Sequence, residues 1–156
     1  MSETVDKIRV LENWPQPETG APEPRILAND SSFALRYYTQ NEKIACIFFP
    51  LVNIFKFGSP NDEVLGGHTL IKNGLTFYSV HEVDNSSWIQ ELEKQNSIHP
   101  QHNKELFTKD KHHYIFTFHD STLELVATEG EYWKPSITVL TSEEEAQRLF
   151  IEALNA

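Results

Sequence analysis

The stretch Ile44-Ala-Cys-Ile-Phe-Phe49, with the preceding Phe33-Ala-Leu-Arg-Tyr-Tyr-Thr39, decides the fold class of this 156-residue chain. Both are short runs rich in aromatic or β-branched residues, and Gln40-Asn-Glu-Lys43 between them is a turn-forming sequence. Such a pair predicts a β-hairpin. The second run is apolar at every position, which is typical of a strand covered on both faces. The sequence therefore predicts a sheet with this strand near its centre.

Further strands are predicted along the chain at residues 51–57, 75–83, 113–119, 123–128 and 137–140. Two helices are predicted, since Ser87-x-x-Gln90 and Thr141-x-x-Glu144 both match the capping box at a helix start. The second helix has one apolar stripe with a helical period, formed by Ala146, Leu149, Phe150, Ala153 and Leu154. We therefore expect an α+β fold, with a single antiparallel sheet of about six strands and two helices packed on it.

The first part of the chain differs in composition from the rest. The segment from Trp14 to Pro24 holds four of the eight prolines. Proline fixes φ and removes a backbone donor, which favours an extended or polyproline-like arm. Trp14 and the apolar residues before it favour an arm that packs on the domain, because solvated tails are poor in aromatic residues. We predict a proline-rich N-terminal arm at residues 1–31 and a single α+β domain at residues 32–156.

Composition and charge exclude several functions. Asp and Glu number 23 against 13 Lys and Arg, a net charge of −10, so nucleic acid is not an expected partner. The chain has no apolar run long enough for a membrane helix, and its N-terminus lacks the pattern of a signal peptide. A cytoplasmic location and no membrane partner are therefore expected. The single cysteine, Cys46, is predicted to be a buried, inert thiol.

Polar side chains concentrate at the ends of the predicted elements. No phosphate-binding loop, dinucleotide fingerprint, hydrolase elbow or HExxH zinc motif is present in the sequence. All seven histidines fall between His68 and His119, and histidine is the common metal ligand and acid–base group near neutral pH. The predicted ligand-binding residues are Asn61, Asp62, Glu63, His68, Trp88 and Asn96.

A metal site is one interpretation of the histidines. His99-Pro-Gln-His102 places two imidazoles three residues apart, and His119 supplies a third. Asp120, His68 or Glu63 would complete the set. Zn²⁺ or Fe²⁺ accepts such nitrogen and oxygen ligands, so a divalent metal is the cofactor that this pattern would take. The alternative is that these residues cap helices, form turns and pack.

An acid–base site is the second interpretation. In Phe118-His-Asp-Ser-Thr122, His119 follows a predicted strand, and Asp120 or Glu124 would hold its ring in one tautomer. His119, Asp120 and Glu124 are therefore the candidate catalytic residues. Ser121 would be a nucleophile only with an imidazole within hydrogen-bond reach. The alternative is a hairpin turn, which Asp and Ser favour.

Several of these motifs together resemble a group of small bacterial single-domain proteins. They are Pro60-Asn-Asp-Glu63, Gly67-His68, Ser86-Ser-Trp-Ile89, Asn96-x-x-His99-Pro100 and Phe118-His-Asp-Ser-Thr122, and the resemblance covers residues 13–128. Thr69 and Leu123 stand where the group would have Pro and Phe. The group has no assigned activity, so the resemblance implies kinship of fold and no mechanism.

The sequence thus leaves three functional hypotheses. The first is a histidine-rich polar pocket that binds a small ligand or a metal, with or without catalysis. The second is a non-catalytic acidic module that binds a protein partner, as an inhibitor or immunity-like protein would, and it rests on the charge of −10 and the small size. In the third, the histidines and acids serve only caps and turns. Convergence of His68, His99, His119, Asp120 and Glu63 on one concavity would favour the first.

Overall fold

The computed structural model describes residues 5–20 and 22–153. Within these ranges the chain forms nine strands, three α-helices and two 3₁₀-helices. The strands are β1 (Lys7–Val10), β2 (Arg25–Ala28), β3 (Phe33–Tyr38), β4 (Ile44–Phe49), β5 (Val52–Gly58), β6 (Val80–Asp84), β7 (Lys111–Thr117), β8 (Thr122–Thr128) and β9 (Ser136–Leu140). The helices are α1 (Ser87–Asn96), α2 (Lys104–Lys109) and α3 (Glu143–Glu152), with 3₁₀-helices at Asp62–Gly67 and Ile71–Asn73. None of the described helices is both long and apolar enough to cross a membrane.

The strands form two antiparallel sheets. The five-stranded sheet has the order β1-β6-β7-β8-β5, and the four-stranded sheet has the order β2-β3-β4-β9. The fold is α+β, but the expectation of a single sheet of about six strands with two helices is wrong. The chain leaves one sheet after Phe49 and enters the other at Val52, so β4 and β5 do not pair. Alternation of apolar residues predicts which face of a strand is buried, and it does not reveal sheet membership.

The main core lies between the two sheets. Phe33, Leu35, Tyr37, Ala45, Ile47 and Phe49 come from the four-stranded sheet, and Val80, Tyr114, Phe116, Phe118, Leu123, Leu125 and Ala127 belong to the five-stranded sheet and its turn. Tyr37 and Phe116 meet across the interface with ring centroids 5.9 Å apart. Residues between these positions on β7 and β8 therefore face outward. Glu124 is one of them, because its neighbours Leu123 and Leu125 point into the core.

The proline-rich segment is not simply an extended arm. Its flanks are two strands, β1 paired with β6 in one sheet and β2 paired with β3 in the other. Trp14, between them, packs on the inter-sheet core with its ring 5.0 Å from that of Tyr114. Both strands were missed in the sequence because each has only four residues and the proline-rich stretch lies between them.

Helices cover the outer faces of the sheets. On the four-stranded sheet, α3 packs through Ala146 against Ile44 and Cys46, which confirms that the thiol is buried. Leu154 lies outside the described residues. On the five-stranded sheet, a second cluster joins the 3₁₀ segment to β1, β6 and β7 through Ile8, Leu65, Leu75, Val83 and Ile115. This cluster anchors the loop that carries His68.

Both predicted capping boxes are displaced by one residue. Ser86 caps α1 by accepting a hydrogen bond from the Ile89 amide, and Ser142 caps α3 by accepting one from the Glu145 amide. The cap of the first 3₁₀-helix is Asn61, whose side chain accepts from the Val64 amide. Ser86 thereby sits at the junction of β6 and α1, facing the outer side of the sheet.

Candidate functional site

Glu124 is the centre of a buried polar network on the outer face of the five-stranded sheet. Its Oε2 accepts a hydrogen bond from Nε2 of His68 at 2.8 Å, and its Oε1 accepts one from Nε2 of His113 at 3.0 Å. The Glu124 side chain is 13% exposed. Burial raises its pKa, but the hydrogen bonds from His113 and His68 more than offset this and lower the pKa to about 2. Glu124 is therefore ionised at neutral pH.

The surrounding hydrogen bonds fix the orientation of both imidazoles. The Leu70 amide donates to Nδ1 of His68, so the proton of a neutral ring lies on Nε2 and points at Glu124. Nδ1 of His113 lies 2.7 Å from Oγ of Ser86. The arrangement that satisfies every group has the Ser86 hydroxyl donating to Nδ1 while Nε2–H donates to Glu124.

An open cavity of about 430 Å³ borders this network. It is lined by Lys56, Ser59, Pro60, Val64, Gly67, His68, Thr69, Thr122 and Glu124, and we call it the Glu124 cavity. Lys56 on β5 is the direct register partner of Glu124 on β8. Its ammonium lies 4.3 Å from the ring centroid of Trp88, which in turn stands edge-on to His113 at 5.1 Å. The cavity wall thus carries one carboxylate, one ammonium and one imidazole.

A second group surrounds the β7–β8 turn. The hydroxyl of Tyr78 donates to Oδ2 of Asp62 at 2.6 Å, and Nε2 of His119 lies 3.7 Å from the same oxygen. Nδ1 of His119 hydrogen-bonds Asp120 at 2.8 Å, and this bond, aided by the charges of Asp62, Asp120 and Glu63, raises the pKa of His119. The Oγ of Ser121 is buried and has no hydrogen-bond partner in the described structure, so no Ser121–histidine pair is formed.

A third group joins α1 to the loop before α2. Nε2 of His102 lies 2.8 Å from Oε1 of Glu93, and the Asn96 amide donates to Nδ1 of His102 at 2.8 Å. His99 is exposed, and its Nδ1 accepts from the Gln101 amide. This group ties two helices together at the end of α1.

The structure does not bring the proposed metal ligands His99, His102 and His119 together. Across residues 5–20 and 22–153, no group of three or more His, Cys, Asp or Glu residues is arranged to hold a metal ion. The reason is that each imidazole already has local partners: His102 has Glu93, and His119 has Asp120 and Asp62. The single concavity expected from the sequence is replaced by three separate groups.

The predicted residues divide among these groups. His68, Trp88 and Glu124 belong to the first, Asn61, Asp62, Glu63, His119 and Asp120 to the second, and Asn96, His99 and His102 to the third. Of the two acids that the acid–base hypothesis offered to orient His119, Asp120 contacts its ring and Glu124 does not; Glu124 pairs with His68 and His113. The prediction omitted His113, Ser86 and Lys56. The alternation of inward and outward residues along β7 could have identified His113, since it shares the outward face with Ile115 and Thr117.

No family model matches this chain, and comparisons with curated proteins and with solved structures found no match either. The resemblance to small bacterial single-domain proteins therefore stays a prediction.

Proposed function

We propose that the protein binds a small polar ligand in the Glu124 cavity. One observation carries this proposal: an ionised carboxylate with 13% exposure is held by two histidines in the wall of an open cavity. Binding sites are typically concave and contain a few convergent polar groups, and a strongly shifted pKa in a cleft marks a candidate site.

The carboxylate retains capacity for a ligand. Each oxygen of Glu124 accepts one hydrogen bond from a histidine, and an ionised carboxylate offers about four acceptor positions. A ligand donor can therefore reach Glu124 without displacing either imidazole. The proposed ligand carries at least one N–H or O–H group for this contact.

Lys56 supplies the complementary contact. No ion pair joins Lys56 to a carboxylate among the residues that the structure describes, and its ammonium rests against the Trp88 ring. It can therefore receive an anionic or carbonyl group of the ligand. A cavity with an ammonium and a carboxylate on neighbouring strands fits small zwitterions and hydroxy acids best.

Binding is tested by NMR of the histidine imidazoles. Wild-type protein is titrated with the standard amino acids and a set of short hydroxy acids, and we expect at least one compound to shift the signals of His68 and His113. Glu124→Gln and Lys56→Met should each weaken that binding at least about tenfold, equivalent to ~1.4 kcal/mol. His99→Ala, an exposed and remote change, is the matched control and should bind like the wild type.

Two results would contradict the proposal. One is a panel in which no compound perturbs His68 or His113. The other is a folded Glu124→Gln or Lys56→Met protein that binds as tightly as the wild type. Thermal melts of each variant separate loss of binding from loss of fold.

A second function is favoured by a different surface. Tyr132 and Trp133 in the β8–β9 loop are 89% and 56% exposed, and the same loop carries Glu129 and Glu131. Aromatic side chains beside acidic ones suit a cationic protein segment, which is the interaction-module hypothesis. Binding of wild-type and Tyr132→Ala/Trp133→Ala proteins to immobilised cationic peptides tests it. Equal binding by both would exclude this surface.

A further inference from the structure

We infer that Ser86, His113 and Glu124 form a nucleophile–base–carboxylate triad that performs acyl transfer at a second cavity. This activity goes beyond ligand binding in the Glu124 cavity. Oγ of Ser86 lies 2.7 Å from Nδ1 of His113, and Nε2 of the same ring lies 3.0 Å from Oε1 of Glu124. A serine within hydrogen-bond reach of a base, with the base oriented by a third group, is the signature of an activated nucleophile.

Ser86 can donate its hydroxyl hydrogen to His113, because its other hydrogen bond uses only a lone pair of Oγ. The Ile89 amide donates to Oγ at 3.2 Å, so one lone pair caps α1. The hydroxyl hydrogen then has Nδ1 of His113 as its acceptor. A capping role requires only the first contact, and an exposed serine would serve it equally well. Capping does not account for the buried His113 or for the carboxylate hydrogen-bonded to its Nε2.

The backbone presents Ser86 at a sharp strand-to-helix turn. β6 ends at Asp84, Asn85 has a φ of +57°, and α1 begins at Ser87. Nucleophilic serines occur at such turns because the hydroxyl then meets the positive end of the helix. The Ser87 amide donates to Oδ1 of Asp6 at 2.6 Å and the Ile89 amide donates to Oγ of Ser86, so stabilisation of a developing oxyanion at this turn would come from the dipole of the ten-residue α1 and not from those two amides.

A cavity of about 510 Å³, which we call the Ser86 cavity, opens beside this residue. Its lining comprises Glu82, Val83, Asp84, Asn85, Ser86, Ile89, Gln90, Lys104, Thr108, Lys111 and His112. Glu124 lines the Glu124 cavity and Ser86 lines the Ser86 cavity. His113 is hydrogen-bonded to both residues and so connects the two cavities. The Ser86 residue is only 4% exposed, and the cavity is therefore the route by which an acyl group reaches it.

The charges in this cavity indicate an anionic substrate. Asp84 is paired with Arg9 at 2.7 Å, and Glu82 contacts the same guanidinium at 3.3 Å and His112 at 2.8 Å, so both carboxylates have local partners. No ion pair joins Lys104 or Lys111 to a carboxylate in the described part of the chain. These two ammonium groups are therefore the charges that the lining leaves for a substrate. The substrate class is therefore a small ester or thioester whose acyl group carries a carboxylate or phosphate.

The reaction requires no reagent other than the substrate and water. Oγ of Ser86 bonds to the carbonyl carbon while its proton moves to Nδ1 of His113, and Glu124 stabilises the imidazolium. When the tetrahedral intermediate collapses, the carbon–heteroatom bond breaks and Nδ1 returns the proton to the leaving group. Water then attacks the acyl-serine, gives its proton to Nδ1, and releases the acid as Oγ regains a proton.

The test is covalent labelling of the native protein. Wild-type protein is treated with a fluorophosphonate, and the modified residue is located by intact mass and peptide mapping. We expect one adduct, at Ser86, and at least tenfold slower labelling in Glu124→Gln. Ser86→Ala should not be labelled. Ser87→Ala removes the neighbouring exposed hydroxyl and should be labelled like the wild type.

The labelling result with wild-type protein is by itself enough to overturn the inference. A folded wild-type protein that gives no adduct, or an adduct at another residue, excludes the triad whatever the variants do. Equal labelling of Ser86→Ala excludes it as well. The two proposals fail separately, because ligand binding is measured on the His68 and His113 signals and the triad on the Ser86 adduct. A wild-type protein that binds a compound but gives no adduct contradicts only the triad, and one that is labelled at Ser86 but binds no compound contradicts only the ligand site.

A separate measurement tests whether the substrate is anionic. Protein-catalysed hydrolysis of 4-nitrophenyl benzoate is compared with that of mono-4-nitrophenyl terephthalate, whose para carboxylate cannot reach its own ester carbonyl. The anionic ester should react faster, and Lys104→Met should reduce the ratio of the two rates severalfold. Equal rates for both esters in the wild type would overturn the assignment of an anionic substrate.

Discussion

His113 on β7 and Glu124 on β8 are hydrogen-bonded at 3.0 Å although they are not register partners, since His113 pairs with Val126 and Glu124 pairs with Ile115. The contact is diagonal across the outer face of the sheet. It leaves the second carboxylate oxygen for His68 and the second ring nitrogen for Ser86. The carboxylate of Glu124 therefore lines the Glu124 cavity and reaches Ser86, in the wall of the Ser86 cavity, only through His113.

The charge of Glu124 should contribute measurably to stability. A carboxyl whose pKa falls from 4.5 to about 2 on folding stabilises the protein above pH 4.5, and the contribution is lost as the pH falls toward 2. Glu124→Gln should cost roughly 3 kcal/mol at pH 7 and almost nothing near pH 2. Urea unfolding at several pH values measures this. Glu63→Gln, an exposed change on the first 3₁₀-helix, is the control, and an equal cost for both would contradict the argument.

His81 should make the protein less stable in weak acid. It is fully buried, with Nδ1–H donating to the Ile115 carbonyl and Nε2 accepting from the Thr76 amide. Burial lowers its pKa, so its contribution is complete above pH 6.5 and is lost as the pH falls below that value. In His81→Asn, the amide keeps the donor to Ile115 and cannot be protonated. The free-energy difference between wild type and variant should shrink from pH 7 to pH 5; a constant difference would contradict this prediction.

Phe150 should anchor α3 to the four-stranded sheet. It is 6% exposed, whereas the adjacent Ile151 is 50% exposed. Phe150→Ala should cost about 3–5 kcal/mol of unfolding free energy because it leaves a cavity. Ile151→Ala should stay within about 1 kcal/mol. Chemical denaturation of both variants measures the difference, and similar small losses would mean that α3 contributes little to the fold.

His102 and His99, three residues apart, should differ in their importance. The His102 side chain is 10% exposed and pairs with Glu93, whose side chain is 11% exposed. His102→Ala leaves that carboxylate without its partner and should cost about 1–3 kcal/mol. His99→Ala should cost no more than about 0.5 kcal/mol, since His99 is exposed. Thermal unfolding of both proteins compares them, and an equal loss would show that the Glu93 contact is not stabilising.

The sequence predicts the strands far better than their assembly. The predicted strand at residues 44–49 coincides with β4, and α1 begins at Ser87, the residue that the sequence predicted as its cap. The predicted strand at 75–83 shortens to β6, and residues 104–109, expected to be loop, form α2. A strand or helix can be predicted from the local pattern of its apolar residues. The sorting of nine strands into two sheets depends on contacts between distant segments, and these leave no local pattern.

For the candidate site, too, the sequence predicted some of the residues but not their contacts. His68 and Glu124 were predicted as functional from residue type and location, but each was assigned to a different role. Their mutual contact depends on the loop between β5 and β6 folding back over β8, which Leu65 and Leu75 anchor on the outer face. His113 was predicted only as the first residue of a strand whose Tyr114, Phe116 and Phe118 share one face. Only the opposite orientation of Tyr114 shows that His113 faces outward.

The separation of β1 and β2 between two sheets has a consequence for the order of folding. β2 pairs with the next strand along the chain, whereas β1 must wait for β6, since Val10 pairs with His81. On the ribosome, the four-stranded sheet can begin to assemble while β1 still has no partner. Closing so long a loop is slow relative to local pairing. β1 should therefore dock late, sealing the edge of a sheet that has already formed.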